Sequence, residues 1–343
     1  MKRWQFWRSR QVVPRGIGRR GLLTRVACYV AVVLVLVLVP AFGHVGDYLL
    51  TLMISFFVYV ILSESWNLMG GYTGQFNLGV AAYFGAGVFC YSVMNAAHLP
   101  FIASMLGAAV VAMALAVVIG APTLRLKGIY FAVGTLALAE ATRVIIGNTH
   151  PLAVYVPGSS WANFSLLRAY YIGLAVVVVT MIVCYGVIAS RLGFAAQAIR
   201  DEQDAASSIG VNPAKYKLII FIISALLAGL AGVVFAYYRG TIIPSDQFTA
   251  DWTFGAIVAS CIGGLGTLLG PILGSIVFVI LEEVLMRTVG QAHFIVMGVL
   301  FIVVIRFVPG GLVQIGRTAQ KYAALALKRK VSVNDAGADE AGG

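Results

Sequence analysis

Long apolar runs separated by short polar breaks fill almost the whole chain. A helix crossing a hydrocarbon core of about 30 Å needs about 20 residues. Runs close to that length fall at 26–43, 48–68, 77–94, 101–121, 129–146, 169–189, 217–238, 271–287 and 292–308. A shorter run at 252–263 reads as a broken or partly re-entrant helix. The pattern predicts an all-α fold, a polytopic transmembrane helix bundle of about ten spans. Three interruptions carry more polar character than a simple loop needs. Two are rich in glycine, GGYTGQFNLG (Gly70 to Gly79) and GGLGTLLG (Gly263 to Gly270). The third, RLGFAAQAIRDEQDAASSIGVNPAKYKL (Arg191 to Leu218), is charged and helix-prone.

Composition agrees with a membrane bundle. Of the 343 residues 60% are hydrophobic and 11% charged, where a soluble domain carries about 25% charged residues. The net charge of +11 does not point to nucleic acid, because the cations cluster at the two ends. One cluster runs from Lys2 to Arg25 without an acid, the other from Arg317 to Lys330. Cations flanking spans mark the cytoplasmic side, so both termini are expected inside. This divides the chain into a basic cytoplasmic arm (1–25), a transmembrane domain (26–310) and a cytoplasmic tail (311–343). No small-residue cleavage site follows the first run and more spans come after it, so that run reads as a span and not a removed signal. Alternation from an inside N-terminus puts the basic turn Thr123–Lys127 and the segment 190–216 inside, and 148–168 outside. The arm is expected to set topology, and its cations also suit anionic membrane lipids.

The glycine-rich breaks admit two readings, which can both hold. Non-helical backbone at membrane depth lines a water-filled path or is buried in protein, and small residues let helices pack closely. On the first reading Glu64, Asn67, Gly71, Gln75, Asn77, Gly79, Gly263, Gly264, Gly266 and Gly270 are the candidate permeation path. Each break has a GG pair after an apolar run, which suggests an internal repeat. Charges within spans include Glu64, the Glu140 and Arg143 pair, and the Glu282, Glu283 and Arg287 group. Each is either a site for a coupling ion or a substrate charge, or a structural ion pair. The cysteines Cys28, Cys90, Cys184 and Cys261 lie far apart in apolar runs. The histidines His44, His98, His150 and His293 sit near run ends. None has metal-ligand spacing, so no metal and no cofactor is expected on this chain.

The charged segment reads as a cytoplasmic helix over 194–209. Phe194, Ala195, Ala198, Ile199, Ala205, Ala206 and Ile209 are its apolar positions. Gly210 supplies a left-handed stop, and Asn212-Pro213 reads as the N-cap and first residue of the next helix. So thin a stripe is expected to rest either on the bundle or on a separate soluble subunit. Asp204-Ala205-Ala206-Ser207-Ser208-Ile209-Gly210 resembles the E-A-A-x-x-x-G loop of ABC importer permeases, whose cytoplasmic helix docks in the ATP-binding subunit. Asp204 stands where that motif has Glu, and the downstream I-x-L-P of type I importers is absent, which argues against the type I fold. The residues expected to couple to an ATPase subunit are Arg200, Asp204, Ala205, Ala206 and Gly210.

Over residues 45–315 the chain resembles the branched-chain amino-acid ABC transporter permeases, of the LivM type within the LivH/LivM family. NLMGGYTGQFNLGVAAYFGAGVF (Asn67 to Phe89), LRLKGIYFAVGTLALAEATRVII (Leu124 to Ile146), the charged segment, ALLAGLAGVVFAY (Ala225 to Tyr237) and IGGLGTLLGPILGSIVFVILEE (Ile262 to Glu283) carry the resemblance in order. It implies a multi-pass subunit of the bacterial inner membrane. Its partners would be ATP-binding cassette subunits, a second permease subunit, and a periplasmic or extracellular amino-acid-binding protein. Urea and short-chain amide permeases share the pattern. No G-x-x-x-x-G-K-[ST] occurs, so ATP would be used by the partner and the chain itself would be no enzyme. Two other classes compete on the residues alone. An ion-coupled secondary transporter would use the intramembrane carboxylates but leave the charged helix without a purpose. A membrane-embedded enzyme would need clustered polar residues, whereas Asp47, Asp201, Asp204, Asp246 and Asp251 are scattered.

Overall fold

The computed structural model describes residues 31, 33–40, 46–126, 128–150, 154–155, 165–307 and 310–315. The N-terminal arm, most of the tail, Cys28 and His44 lie outside the described residues, as does half of the first expected span. Of the described residues 86% are helical, and their sheet is a single pair of two-residue strands, so the described bundle is all-α.

Helix α1 covers 33–40. Then come α2 (Asp47–Asn67), which runs into a π-helical turn Leu68–Tyr72, α3 (Val80–Ala96), α4 (Phe101–Thr123), α5 (Ile129–Thr149) and α6 (Leu166–Ala189). The cytoplasmic segment forms α7 (Arg191–Asp201) and α8 (Gln203–Ser208), and α9 (Pro213–Arg239) follows. The chain continues as α10 (Ala250–Gly263), α11 (Gly270–Val289) and α12 (His293–Phe307), with a last helical stretch, α13, at 311–315. Five of these are long and apolar enough to cross a membrane: α2 with its π turn, α4, α5, α6 and α9. Helix α10 has 14 residues, about 21 Å of rise, which is short of a bilayer core and fits the broken helix expected at 252–263.

One expectation is corrected. The 194–209 helix is two helices, parted at Glu202, which is extended (φ −159°, ψ 110°). The break leaves Arg200 in the last turn of α7 and Asp204 in the first turn of α8, the helix ends at which a cation and an acid are each favoured, and the Glu202 carbonyl accepts from the Ala206 amide at 3.0 Å.

The centre of the bundle is α2 and α9. Each is 67% buried over its most apolar stretch, against 22–33% for α4, α5 and α6. The outer helices turn Ile102, Val118, Ile129, Tyr130, Ile145 and Ile182 outward, the apolar exterior that a lipid solvent requires. Helices α3 and α9 touch backbone to backbone, since a Cβ on Gly87 would stand 2.7 Å from the Gly229 Cα. Helix α2 lies antiparallel to the α10–α11 hairpin's second arm. Tyr48 donates to Glu283 (3.2 Å) and Tyr59 to Glu282 (3.2 Å), Ser63 and Ser275 share a bond of 3.0 Å, and Asn67 donates to the Thr267 carbonyl (3.0 Å). The strands Val154–Tyr155 and Thr241–Ile242 pair antiparallel. They tie the loop after α5 to the loop after α9 at one end of the bundle.

Candidate functional site

The two glycine-rich breaks meet, and one side chain joins them. Helix α2 ends in the π turn, where the pair Gly70-Gly71 removes the side chains that would keep the helix regular. Past it the chain is fixed by its own polar groups. Thr73 Oγ1 donates to the Met69 carbonyl (2.6 Å), the buried Trp66 indole donates to the Asn77 carbonyl (2.7 Å), and Asn77 Oδ1 accepts from the Gly79 amide (2.8 Å). The first amides of α3 lack helical partners. Ala81 N is met from another helix, donating to Thr253 Oγ1 (2.9 Å), and just ahead of α3 Leu78 N donates to Thr135 Oγ1 (3.1 Å).

The second break is held by Thr267, whose hydroxyl donates to the Gly264 carbonyl (2.8 Å) and accepts from the Gly270 amide (3.0 Å). Gly264 and Gly266 have φ of 125° and 66°, values that favour glycine. Across the gap, Asn67 Oδ1 accepts from the Gly266 amide (2.8 Å) while Asn67 Nδ2 donates to the Thr267 carbonyl. The approach is close enough that a Cβ on Gly71 would stand 2.5 Å from the Gly266 nitrogen.

One turn before Asn67 lies Glu64, fully buried. Its Oε2 is 3.5 Å from Asn67 Nδ2, and its Oε1 has no hydrogen-bond partner among the described residues. The other membrane acids are placed differently. Glu140 is bound by Arg143 (2.9 Å), and Glu283 by Arg287 (2.7 Å), with the Arg287 guanidinium 4.7 Å above the Tyr48 ring. Both ion pairs are exposed at the bundle surface. Among the described residues no group of three His, Cys, Asp or Glu side chains is placed to hold a metal.

Of the residues singled out from sequence, Glu64, Asn67, Gly71, Gly266 and Arg200 come together. Arg200 turns inward from α7 and donates to the Gly71 carbonyl at 2.7 Å. Asn77 and Gly79 are buried nearby against Trp66 and α5, and Gln75 is half-buried. Gly263, Gly264 and Gly270 are buried in backbone contact with one another and with 310–311. Asp204, Ala205 and Gly210 are exposed, and Ala206 is buried. Within the expected stripe Ala195, Ile199 and Ala206 face the bundle, whereas Phe194 and Ile209 face outward.

Sequence reasoning passed over a group of serines around Glu64. Ser65 and Ser224 exchange hydroxyl-to-carbonyl bonds of 2.8 Å, and Ser260 Oγ donates to the Ser63 carbonyl at 3.0 Å. The Ser-Glu-Ser triplet at 63–65 in an apolar run was the available signal. Lys217 was passed over too. It is buried at the foot of α9 and donates to Gln203 Oε1 at 2.6 Å.

A profile of the family described as branched-chain amino acid transport system, permease component, matches residues 48–305, which takes in both breaks, the cytoplasmic segment and every long helix. The chain belongs to this family. The permease is 27% identical over 297 residues to the high-affinity branched-chain amino acid transport system permease protein LivM of Escherichia coli K12, covering 77% of this chain and 69% of that one. A probable LivM of Methanocaldococcus jannaschii is 23% identical over 322 residues, covering 78% and 93%. The permease protein LivH of Escherichia coli K12 is 31% identical over 109 residues, about a third of each chain. No solved structure matches the permease.

Proposed function

We propose that this permease is a membrane subunit of an ATP-binding cassette importer that moves branched-chain, or related hydrophobic, amino acids across the bacterial inner membrane. On this reading it crosses the bilayer about ten times with both termini in the cytoplasm. Two ATP-binding subunits, a second permease subunit of the LivH kind, and an external amino-acid-binding protein complete the assembly. ATP is hydrolysed by the partner, as the missing phosphate loop requires. The observation that carries the reading is the layout of the cytoplasmic segment. Its inner face is bonded into the glycine-rich breaks through Arg200, while Asp204, Ala205 and Ile209 stand outward at the E-A-A-like motif. A segment that only covered the bundle would not present that motif to the cytoplasm.

Asp204→Arg and Gly210→Pro test it. Gly210 has φ 88° and its amide donates to the Ser207 carbonyl, so proline loses both the angle and the donor. Each variant is expected to insert at normal level and to lower ATP-driven uptake at least tenfold. Unchanged uptake at equal protein level, or uptake by the purified chain without ATP, would defeat the proposal.

A further inference from the structure

Arg200 sits in a cradle of glycines drawn from both breaks. Its Nη1 donates to the Gly71 carbonyl at 2.7 Å. A Cβ on Gly266 would come within 2.9 Å of the same Nη1, and a Cβ on Gly74 within 3.1 Å of the Arg200 Cγ. Gly71 lies in the π turn that ends α2, where carbonyls lack helical partners and carry the negative pole of the helix. A guanidinium keeps its charge at any accessible pH and presents a rigid set of donors, so it suits that pole. The helix it caps is the one that bears Glu64 and Asn67.

We propose that Arg200 is the positioning residue that ties the cytoplasmic segment to both glycine-rich breaks, and that its withdrawal from the glycine cradle releases the seam between them. Arg200 lies at the end of α7, two residues before the extended Glu202. On the far side of that joint, Gln203 is bonded to Lys217 at the foot of α9. The segment is thus fastened on either side of the extended Glu202, and a pull on α8 is met at Gln203 and, through Glu202, at Arg200. From there the bonds run through the Gly71 contact with Gly266 to Asn67, which holds the Gly266 amide and the Thr267 carbonyl. The inference rests on the importer reading for the origin of the pull. The seam itself is tested apart from that reading.

The first experiment is hydrogen exchange on the detergent-purified chain, following the Gly266 amide. Arg200→Met keeps the aliphatic stem over Gly74 and removes the donors, and Arg200→Lys keeps one charged donor. Exchange at 264–268 is expected to be at least tenfold faster in Arg200→Met, with Lys recovering part of the protection and exchange in α3 and α9 unchanged. Equal exchange at Gly266 in the parent chain and Arg200→Met overturns the proposal, and so does acceleration spread evenly over the bundle. In the reconstituted importer with its ATP-binding subunits, Arg200→Met is expected to keep hydrolysing ATP while uptake falls at least tenfold, and Lys to restore part of the uptake. Loss of hydrolysis and uptake in step overturns the link. Failure of the parent chain to assemble with ATP-binding subunits counts against the importer reading, and the exchange result on the chain alone still decides the link.

Discussion

Gly71→Ala is expected to abolish uptake and to lower the thermal stability of the purified permease sharply. The helical propensity of alanine favours the change, so the loss is one of space. A Cβ at position 71 would stand 2.5 Å from the Gly266 nitrogen and 3.0 Å from Asn67 Cγ. The first neighbour is backbone in a break whose own glycines are in contact with 310–311 and cannot retreat. The second holds the breaks together. Displacing it strands the Gly266 amide and the Thr267 carbonyl, both buried, at about 1–3 kcal/mol for each group left without a partner. A total of about 3–5 kcal/mol is in the range of the most damaging single substitutions. Gly186→Ala is the control. It lies on the exposed side of α6 with nothing within 4 Å of its added Cβ, and is expected to be neutral or to stabilise by up to about 1 kcal/mol. Melting curves in detergent and uptake at matched protein level read both. A Gly71→Ala chain that melts with the parent would show that the seam is looser than the distances say.

The contrast between those two glycines also marks what the sequence could reveal. The five long apolar helices were legible, because about 20 apolar residues in a row have few other uses. The start of α9 was legible because Asn212 and Pro213 act locally: Asn212 Oδ1 accepts from the Lys215 amide at 3.2 Å. The parting of α7 and α8 was not legible, because the extended Glu202 lies inside a stretch whose pattern suits one helix over 194–209. The meeting of the breaks was not legible. Asn67 and Gly266 are 199 positions apart, and nothing local in either says that they touch. Arg200 shows the same limit from the other side. A lone arginine on a polar helix suits solvent or a partner equally well, and its inward turn depends on a helix C-terminus that only the tertiary fold supplies. Glycine density served two readings at once. The structure displays close packing directly at Gly263, Gly264 and Gly270.

Glu64→Gln is expected to reduce uptake by about two orders of magnitude without harming the fold. The carboxyl is buried at membrane depth, with one oxygen lacking any partner among the described residues and the other 3.5 Å from an amide that is already engaged. An acid in that position costs several kcal/mol unless something pairs with it. The ion pairs at Glu140 and Glu283 show how the bundle treats acids that serve structure: each has an arginine, and each lies at the surface. Glu64 has neither. An amino acid arriving from outside brings an ammonium group, which is the complement of a carboxyl held in apolar surroundings beside a seam. Glutamine keeps the shape and cannot offer the charge. Truncating one partner of a buried charge pair costs about 2–5 kcal/mol, which sets the expected loss in transport. Stability should stay level or rise, since an amide is cheaper to bury than an unpaired acid. The measurement is initial uptake rate over a range of cargo concentrations, with the melting temperature taken on the same preparations. Parental uptake in Glu64→Gln would reduce Glu64 to a packing residue and move the cargo's charged end toward Gln75 and Asn77, whose Nδ2 also lacks a partner among the described residues.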